Sequence, residues 1–424
     1  MNVTHKRLKK SQFRFIWTLS MLLFFMPASY IVSRTTTRAI NILIICDSLL
    51  MCCIAISLGK GGYNIKKTSI AILALYFWCL LGSSFINSLN GNQIDYNSAI
   101  GSTATVIAFC LLCDIGFSCY PKITLQSFLM IGITACSINA ITIFLYKNSG
   151  GLNPQAWQRF NEYGGIMSKN YYYLGEDNAS YFWAWPVLVI SWFYYYAYSH
   201  KIFMKAICWA YTLLLIMSYR YVWSVLSLIA CTSVPFVLFL LLSKLKKTNK
   251  DTAIKDKVVF PFDIGWISGL VFNFMLSAGM IISYFVPIIQ QYLNKDATLS
   301  RRTFIWERSF QYIGKSFFIG YGSEPTAVSY NKILINHTHN LGLETMYRGG
   351  IVGLILFCVM LIAVSRESKS TQNIVFNQYL RMMIILFIFF SSIYFAYYRY
   401  HYLIILILLS RIQDVFPNEY NLNP

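Results

Sequence analysis

Long apolar runs dominate the chain, most of them with the roughly 17–25 residues that an α-helix needs to cross a hydrocarbon core of about 30 Å. Hydrophobic residues make up 57% of the 424 residues and charged residues only 12%, against about 25% charged in a soluble domain. The sequence therefore predicts an all-α polytopic membrane protein with one integral membrane domain over 1–424. Twelve runs fit, the last of them short: 15–33, 40–58, 69–87, 99–118, 125–146, 180–199, 203–219, 221–243, 263–287, 349–365, 381–398 and 402–412.

Lysine and arginine in the polar connections predict the orientation of the spans. They are concentrated before the first run, in the connection 59–67, and in the segments that follow Ser243 and Ser365. Cytoplasmic loops carry an excess of these residues, and all four segments fall on one side if twelve spans alternate. We therefore expect both termini in the cytoplasm and an uncleaved first span, since no small-residue cleavage site follows the first run.

The same alternation leaves two long polar loops on the outer side, at 147–179 and 288–348. The second loop, between the ninth and tenth spans, is net basic, which is the reverse of the expectation for an outer loop. The formal net charge of +19 is ordinarily explained by cytoplasmic lysines and anionic headgroups; the sharper alternative is an anionic substrate. Because no soluble basic domain is present, we expect membrane lipids and no nucleic acid as partners.

Metal and cofactor sites are not predicted. Cys110 and Cys113 have CxxC spacing, but they lie inside an apolar run and have no second pair. His337 and His339, two residues apart, are expected on opposite faces if the chain is extended, and further zinc ligands are lacking. No carboxylate cluster in an outer loop favours Mg²⁺, and no glycine-rich nucleotide loop occurs.

Three basic elements are candidates for a common outer site. Arg220 lies between two apolar runs, Arg302 precedes Trp306 by one helical turn, and His339 precedes Asn340 before a span. Each has an ordinary alternative: headgroup-level snorkelling for Arg220, an amphipathic helix lying on the membrane for Arg302, and a hydrogen-bonded cap for His339.

Together these residue types suit a lipid diphosphate. Arginine presents a planar, permanently charged fork that pairs phosphate oxygens bidentately. Histidine, with an ordinary pKa near 6.5, can take a proton from an attacking hydroxyl. Gly349, Gly350 and Gly353 allow close approach at the start of the tenth span, and for Gly353 we favour ordinary helix packing.

These residues also carry a resemblance. His339-Asn340, nine residues and then Gly350-Ile351-Val352-Gly353 are similar to the signature of the O-antigen ligase and polymerase superfamily of bacterial inner membranes. Arg302 with Trp306, and the stretch Phe318-Ile319-Gly320-Tyr321-Gly322, resemble two motifs upstream of that signature. Ser218-Tyr219-Arg220 differs from the family's Ser-Arg by the intervening tyrosine, and the Asn178 region looks like the family's entry to a mid-chain span. The resemblance is concentrated in 301–357.

The resemblance implies an inverting, metal-independent glycosyltransferase of the GT-C type. Its donor would be an undecaprenyl-diphosphate-linked glycan at the periplasmic face of the inner membrane. Carried over by position, Arg220 and Arg302 would clamp the diphosphate, and His339 would act as the base or position the acceptor. The remaining expected substrate-binding residues are Arg301 and His337, as substitutes for Arg302 and His339, together with Asn340, Trp306 and Asn178.

Several functions share this pattern. A ligase transfers the glycan to the lipid A-core oligosaccharide, and a polymerase transfers it to the next lipid-linked repeat; the His-Asn signature favours the ligase. A protein oligosaccharyltransferase is a further alternative. A flippase would need charges deep in several spans; mid-span charges are few here, with Asp47 and Asp114 as the main candidates. The tyrosines at 171–173 either stack on sugar rings or anchor at the membrane interface.

Overall fold

The structure is a computed structural model, which describes residues 10–26, 34–59, 63–90, 96–149, 151–152, 159–160, 166–167, 171–176, 180–222, 224–248, 261–280, 302–323, 329–330, 333–334, 337–369, 374–395, 397 and 399–416. Two of the expected substrate-binding residues, Arg301 and Asn178, lie outside these ranges. Most of the described chain is helical. The strands in it are two residues long and form three antiparallel pairs.

The helices follow the apolar runs. They are α1 Lys10–Leu23, α2 Arg34–Gly59, α3 Lys67–Tyr76, α4 Ser83–Leu89, α5 Tyr96–Cys119, α6 Pro121–Tyr146, α7 Tyr181–Tyr194, α8 Ile202–Tyr221, α9 Val225–Thr248, α10 Phe262–Ser277, α11 Arg302–Lys315, α12 Leu341–Glu367, α13 Ile374–Phe390, α14 Leu403–Ser410 and α15 Ile412–Val415. The π-helical turns Phe77–Gly82 and Tyr195–Ser199 join α3 to α4 and extend α7, and the short 3₁₀ turn Lys147–Ser149 follows α6. The strands are β1 Arg159–Phe160, β2 Ile166–Met167, β3 Tyr171–Tyr172, β4 Gly175–Glu176, β5 Ser329–Tyr330 and β6 Ile333–Leu334.

Much of the helical part is built to cross a membrane. Within the described residues, seven helical stretches are long and apolar enough for a span: Thr37–Gly59, Lys67–Leu89, Tyr96–Cys119, Pro121–Ser149, Ile202–Tyr221, Val225–Ser243 and Leu341–Glu367. Large apolar side chains such as Ile42, Phe203 and Phe239 stay exposed on the outside of the bundle, as expected for a surface that contacts lipid. The prediction of a polytopic helical membrane protein is confirmed.

Several boundaries of the predicted spans were wrong, and two of them lie beside the candidate site. The helix α12 begins at Leu341 rather than at 349, because Gly350 bends this helix instead of starting it. The helix α13 ends at Phe390 rather than at 398, and the described parts of 391–402 are non-helical. The residues after Phe390 are mostly apolar, so their composition did not indicate that the helix ends there. The backbone of Ser391 and Ser392 is bonded to the start of α12.

The bundle has two ends. We call one the site end, because it carries His337 and His339 before the start of α12; α4, α6, α8, α10 and α13 end there, and α5, α7 and α12 begin there. At the opposite end, Asp114 of α5 accepts bonds of 3.0 and 2.8 Å from Arg411, just after α14, and one of 2.9 Å from Ser69. Tyr63 also donates to Asp114, and burial together with the Asp114 carboxylate raises the pKa of Tyr63, which keeps its hydroxyl protonated. The other mid-span carboxylate, Asp47, accepts a bond of 2.7 Å from Ser20. Asp114 therefore ties the last helices of the chain to α5.

Candidate active site at the start of the broken helix

The site is organised by the start of α12, where Asn340 is the N-cap residue. Its side-chain Oδ1 accepts a 3.0 Å hydrogen bond from the Leu343 amide, the usual way of satisfying a free helix N–H group. Its Nδ2 donates to the carbonyl oxygens of Asn273 and Ser392, each at 3.0 Å. Asn340 was expected to bind substrate. Because both amide hydrogens and the oxygen are used within the buried protein, its position indicates that it joins α10 and the end of α13 to α12.

Thr338, between the two histidines, is fixed by three groups. Its backbone N–H donates to Oε2 of Glu344 at 2.6 Å, and its carbonyl oxygen accepts a 2.9 Å bond from Nε1 of Trp306. Its Oγ1 donates to the Asn340 carbonyl oxygen at 3.0 Å. Trp306, an expected substrate-binding residue, is fully buried, and its bond to Thr338 holds α11 against the histidine turn. The prediction that Arg302 and Trp306 share a helix is confirmed by α11.

A buried ion pair lies directly under this turn. Oε1 of Glu344 accepts a 2.6 Å bond from Nε of Arg348, and the two side chains are 0% and 5% exposed. Arg348 also donates to the carbonyl oxygens of Gly322 and Ser323. A buried ion pair stabilises a structure only when its remaining hydrogen-bonding groups are satisfied. Here these partners connect the turn, α12 and the segment after α11.

The rings of His337 and His339 are in contact, with centroids 3.9 Å apart and planes inclined at 64°. The expectation that they point to opposite faces was wrong, because side chains alternate along a chain and residues two apart return to the same face even in an extended conformation. His339 has a φ of +60°, a left-handed conformation that is uncommon outside glycine and often marks functional sites. The anchored Thr338 points inwards, and both histidine rings lie on the same side of the turn, half-buried.

Two tyrosines connect the histidines to α7 and to Arg302. The Tyr394 ring lies 5.0 Å from the His339 ring and 6.2 Å from the His337 ring. The Tyr181 hydroxyl donates a 3.0 Å bond to the Tyr394 carbonyl oxygen, and Arg302 lies within electrostatic range of that hydroxyl. Arg302 and the two histidines therefore lie around one buried pair, Tyr181 and Tyr394. Tyr181 is distant from all of them in the sequence.

Arg220 is in the last turn of α8, exposed, at the site end of the bundle. The hydroxyl of its neighbour Tyr219 lies 3.2 Å from the Ser180 hydroxyl, which directly precedes Tyr181. The Lys147 ammonium sits 4.1 Å from the centre of the Tyr221 ring and donates to the Tyr221 carbonyl oxygen. Arg220 and Lys147 therefore place two cations at the end of α8, next to the start of α7.

Glycines allow the Phe318–Gly322 stretch to enter the bend of α12. Gly350 has φ +61° and ψ −158°, and a side chain there would collide with the backbone of Phe318 and Ile319. Gly320, at φ +73°, lies as close to the backbone of Arg348 and Gly350. Backbone amides bond across this junction, from Tyr321 to the Tyr347 carbonyl at 2.8 Å and from Ile351 to that of Phe317 at 2.8 Å. Gly353 packs on Cys79, in line with ordinary helix packing.

The loop 147–179 is described only in part. Tyr172 is fully buried and the Leu174 amide donates a 2.7 Å bond to Oδ1 of Asn139 on α6, so Tyr172 has no exposed ring face for a sugar. Of the described residues, no group of three or more His, Cys, Asp or Glu side chains is placed to hold a metal ion.

Sequence reasoning missed several residues of this site. Tyr181 and Tyr394 lie in apolar runs and carried no motif. Arg399 was also overlooked, although its guanidinium stacks 4.0 Å from the centre of the Trp183 ring on α7. An arginine inside a run of tyrosines (Tyr397, Tyr398, Tyr400) next to a predicted span is the signal that would have identified it, because charges at membrane depth are expensive and commonly functional.

Comparison with known proteins finds one family over this part of the chain. Residues 186–358 match the family model described as O-antigen ligase. That segment begins within α7 and includes Arg220, Arg302, both histidines and the bend of α12. No curated protein matches the chain. The resemblance that the motifs predicted is confirmed for this segment, which is similar to the O-antigen ligase family.

Proposed function

We propose that the protein is an O-antigen ligase, which transfers a glycan from an undecaprenyl-diphosphate carrier to a lipid A-core oligosaccharide at the periplasmic face of the bacterial inner membrane. The observation that carries the proposal is the arrangement of a cation and a base around one tyrosine pair. Arg302 lies near enough to the Tyr181 hydroxyl to interact with it electrostatically, that hydroxyl donates to the Tyr394 carbonyl oxygen, and the Tyr394 ring contacts both histidines.

The chemistry follows from these side chains. His339 takes the proton from the acceptor hydroxyl as its oxygen bonds to the anomeric carbon. The bond from that carbon to the diphosphate breaks, and the diphosphate leaves with the electron pair. Attack opposite the leaving group inverts the anomeric centre. Arg302 and Arg220 bind the diphosphate, and because negative charge grows on it, preorganised arginines stabilise the transition state more than the ground state.

The basic residues of the site end support an anionic donor. Arg220, Lys147 and Arg399 surround the N-terminal half of α7, and Arg302 begins α11. The outer loop 288–348 is net basic, and the orientation in which the site faces the periplasm follows from the positive-inside pattern of the other connections. Twelve spans, with 147–179 and 288–348 as periplasmic loops, complete this arrangement.

Transfer by purified protein tests the clamp. In detergent, with purified lipid-linked donor and lipid A-core acceptor, we expect Arg302→Ala to lower the transfer rate about 100- to 1000-fold, as loss of one preorganised donor does elsewhere. Lys315→Ala, in the last turn of the same helix, is the matched control and retains the rate. Near-full transfer by a well-folded Arg302→Ala variant would show that the clamp is misassigned, and the absence of any transferred product from the wild-type protein is the result expected of a flippase.

The lipopolysaccharide profile of cells that lack the gene separates ligase from polymerase. A ligase null has core lipid A without O-antigen, while long glycan accumulates on the undecaprenyl carrier. A polymerase null has core capped by a single repeat, and this outcome would assign the protein to the second activity of the superfamily. Complementation with His339→Ala, at wild-type protein levels in the membrane, is expected to fail in either case.

A further inference from the structure

The two histidines lie closer together than packed aromatic rings usually do. Their centroids are 3.9 Å apart, whereas aromatic pairs generally have centroids about 4.5–7 Å apart. The rings are inclined at 64°, so the edge of one imidazole meets the other. At this separation the ring nitrogens are within the reach that a proton transfer needs, either directly or through one water molecule.

The contact depends on an unusual backbone. In an extended chain, side chains two residues apart lie on the same face, about 6–7 Å from each other, and the residue between them points the other way. Here the left-handed φ of +60° at His339 turns its ring towards that of His337. Thr338 is held by Glu344, Trp306 and Asn340. A strained conformation persists only where the surroundings fix it, and those three contacts do so.

Other groups around the pair are committed to different partners. On α12, both Glu344 oxygens are bonded, one to the Thr338 amide and one to Arg348. On α7, the Tyr181 hydroxyl donates to the Tyr394 carbonyl oxygen, and Arg302 of α11 lies within electrostatic range of that hydroxyl. His337 lies in contact with His339, and an imidazole accepts a proton near neutral pH far more readily than a phenol such as Tyr394 loses or exchanges one.

We propose that His337 is the second half of a proton relay, and this inference rests on the function proposed above. The acceptor hydroxyl loses its proton to His339 as the oxygen–carbon bond forms and the diphosphate leaves. His339 passes the proton to His337, and His337 releases it to water. His339 is thereby returned to the neutral form that the next acceptor requires, and a neutral His337 lowers the cost of charging its neighbour.

Imidazole rescue tests the relay, with transfer measured in detergent with purified donor and acceptor at saturating concentrations. We expect His337→Ala to lower kcat about 100-fold, at the low end of general-base contributions, with little change in the KM for the donor. Added imidazole restores much of that rate. His337→Phe, which fills the space with a ring that carries no proton, stays slow with or without imidazole and controls for packing.

The outcomes are separable. His200→Ala is the matched control, since His200 also has a left-handed φ, of +48°, but lies beyond the opposite end of α7; it retains the wild-type rate. Full activity of His337→Phe, or a slow His337→Ala that imidazole leaves unchanged, overturns the relay and leaves the ligase assignment standing. Wild-type protein that transfers no glycan overturns the proposed function itself, and the relay with it.

Discussion

The indole Nε1 of Trp306 donates a 2.9 Å hydrogen bond to the carbonyl oxygen of Thr338, the residue between the two histidines. Trp306 lies one turn after Arg302 on α11, and it packs with Leu343 and Tyr347 of α12. This single bond therefore sets the position of the helix that carries the proposed diphosphate clamp relative to the turn that carries the proposed base. The family resemblance identifies Arg302 and His339 as candidates, but it does not show how their positions are linked.

Trp306→Phe removes this bond and keeps most of the apolar volume. We expect a loss of about 1–3 kcal/mol in the free energy of unfolding, because the buried Thr338 carbonyl is left unsatisfied. Transfer per folded molecule falls at least 10-fold, since catalytic groups displaced by about 1 Å lose much of their effect. Thermal unfolding in detergent and the transfer rate measure the two effects.

Trp17→Phe is the matched control for that variant. Trp17 is equally buried, and its Nε1 donates a 3.0 Å bond to the Leu112 carbonyl oxygen, well away from the histidines. Its replacement lowers stability by a similar amount and leaves transfer per folded molecule unchanged. Equal losses of transfer in both variants would contradict the positioning role of Trp306.

Much of the architecture could be predicted from sequence because its signal is local. Apolar runs gave the helices, and the step from Arg302 to Trp306 gave the shared helix. What failed depends on partners distant in the chain. The non-helical turn after Phe390 has an apolar sequence like that of a span, and its backbone is hydrogen-bonded to Leu341 and Asn340, which are distant in the sequence. The contact between His337 and His339 requires a positive φ that residue spacing does not reveal, and Tyr181 joins the site only through Tyr394.

Glu344→Ala should be among the most damaging substitutions in the chain. It leaves the buried Arg348 guanidinium and the Thr338 amide without their carboxylate partner, and breaking a buried pair from one side costs about 3–5 kcal/mol. We expect little folded protein by size-exclusion chromatography. Glu344→Gln keeps an oxygen for the Thr338 amide and should be less destabilised. Equal stability of the two variants would show that the hydrogen bond to Thr338 contributes nothing.

Gly350→Ala should disrupt the bend of α12. Alanine at a φ of +61° is strained, and its Cβ would overlap the backbone of Phe318, which no side-chain movement relieves. We expect loss of folded protein or, in any folded remainder, loss of transfer. Gly314→Ala on α11 is the control, because its Cβ meets nothing within 4 Å and alanine in a helix is favoured by roughly 0.5–1 kcal/mol. A stable, active Gly350→Ala protein would contradict the described junction.

Arg411→Met separates the stability of the bundle from the chemistry of the site. Arg411 is 5% exposed and pairs at 2.8 Å with the fully buried Asp114, at the end of the bundle away from the histidines. Removing it leaves an unpaired carboxylate between α5 and the last helices, so we expect about 3–5 kcal/mol of destabilisation, seen as a lower thermal midpoint in detergent. The double variant Asp114→Leu/Arg411→Met recovers part of that loss, because no charge remains buried. In both proteins the transfer rate per folded molecule stays at the wild-type value. A large fall in that rate for the double variant, despite recovered stability, would mean that the opposite end of the bundle is coupled to the site.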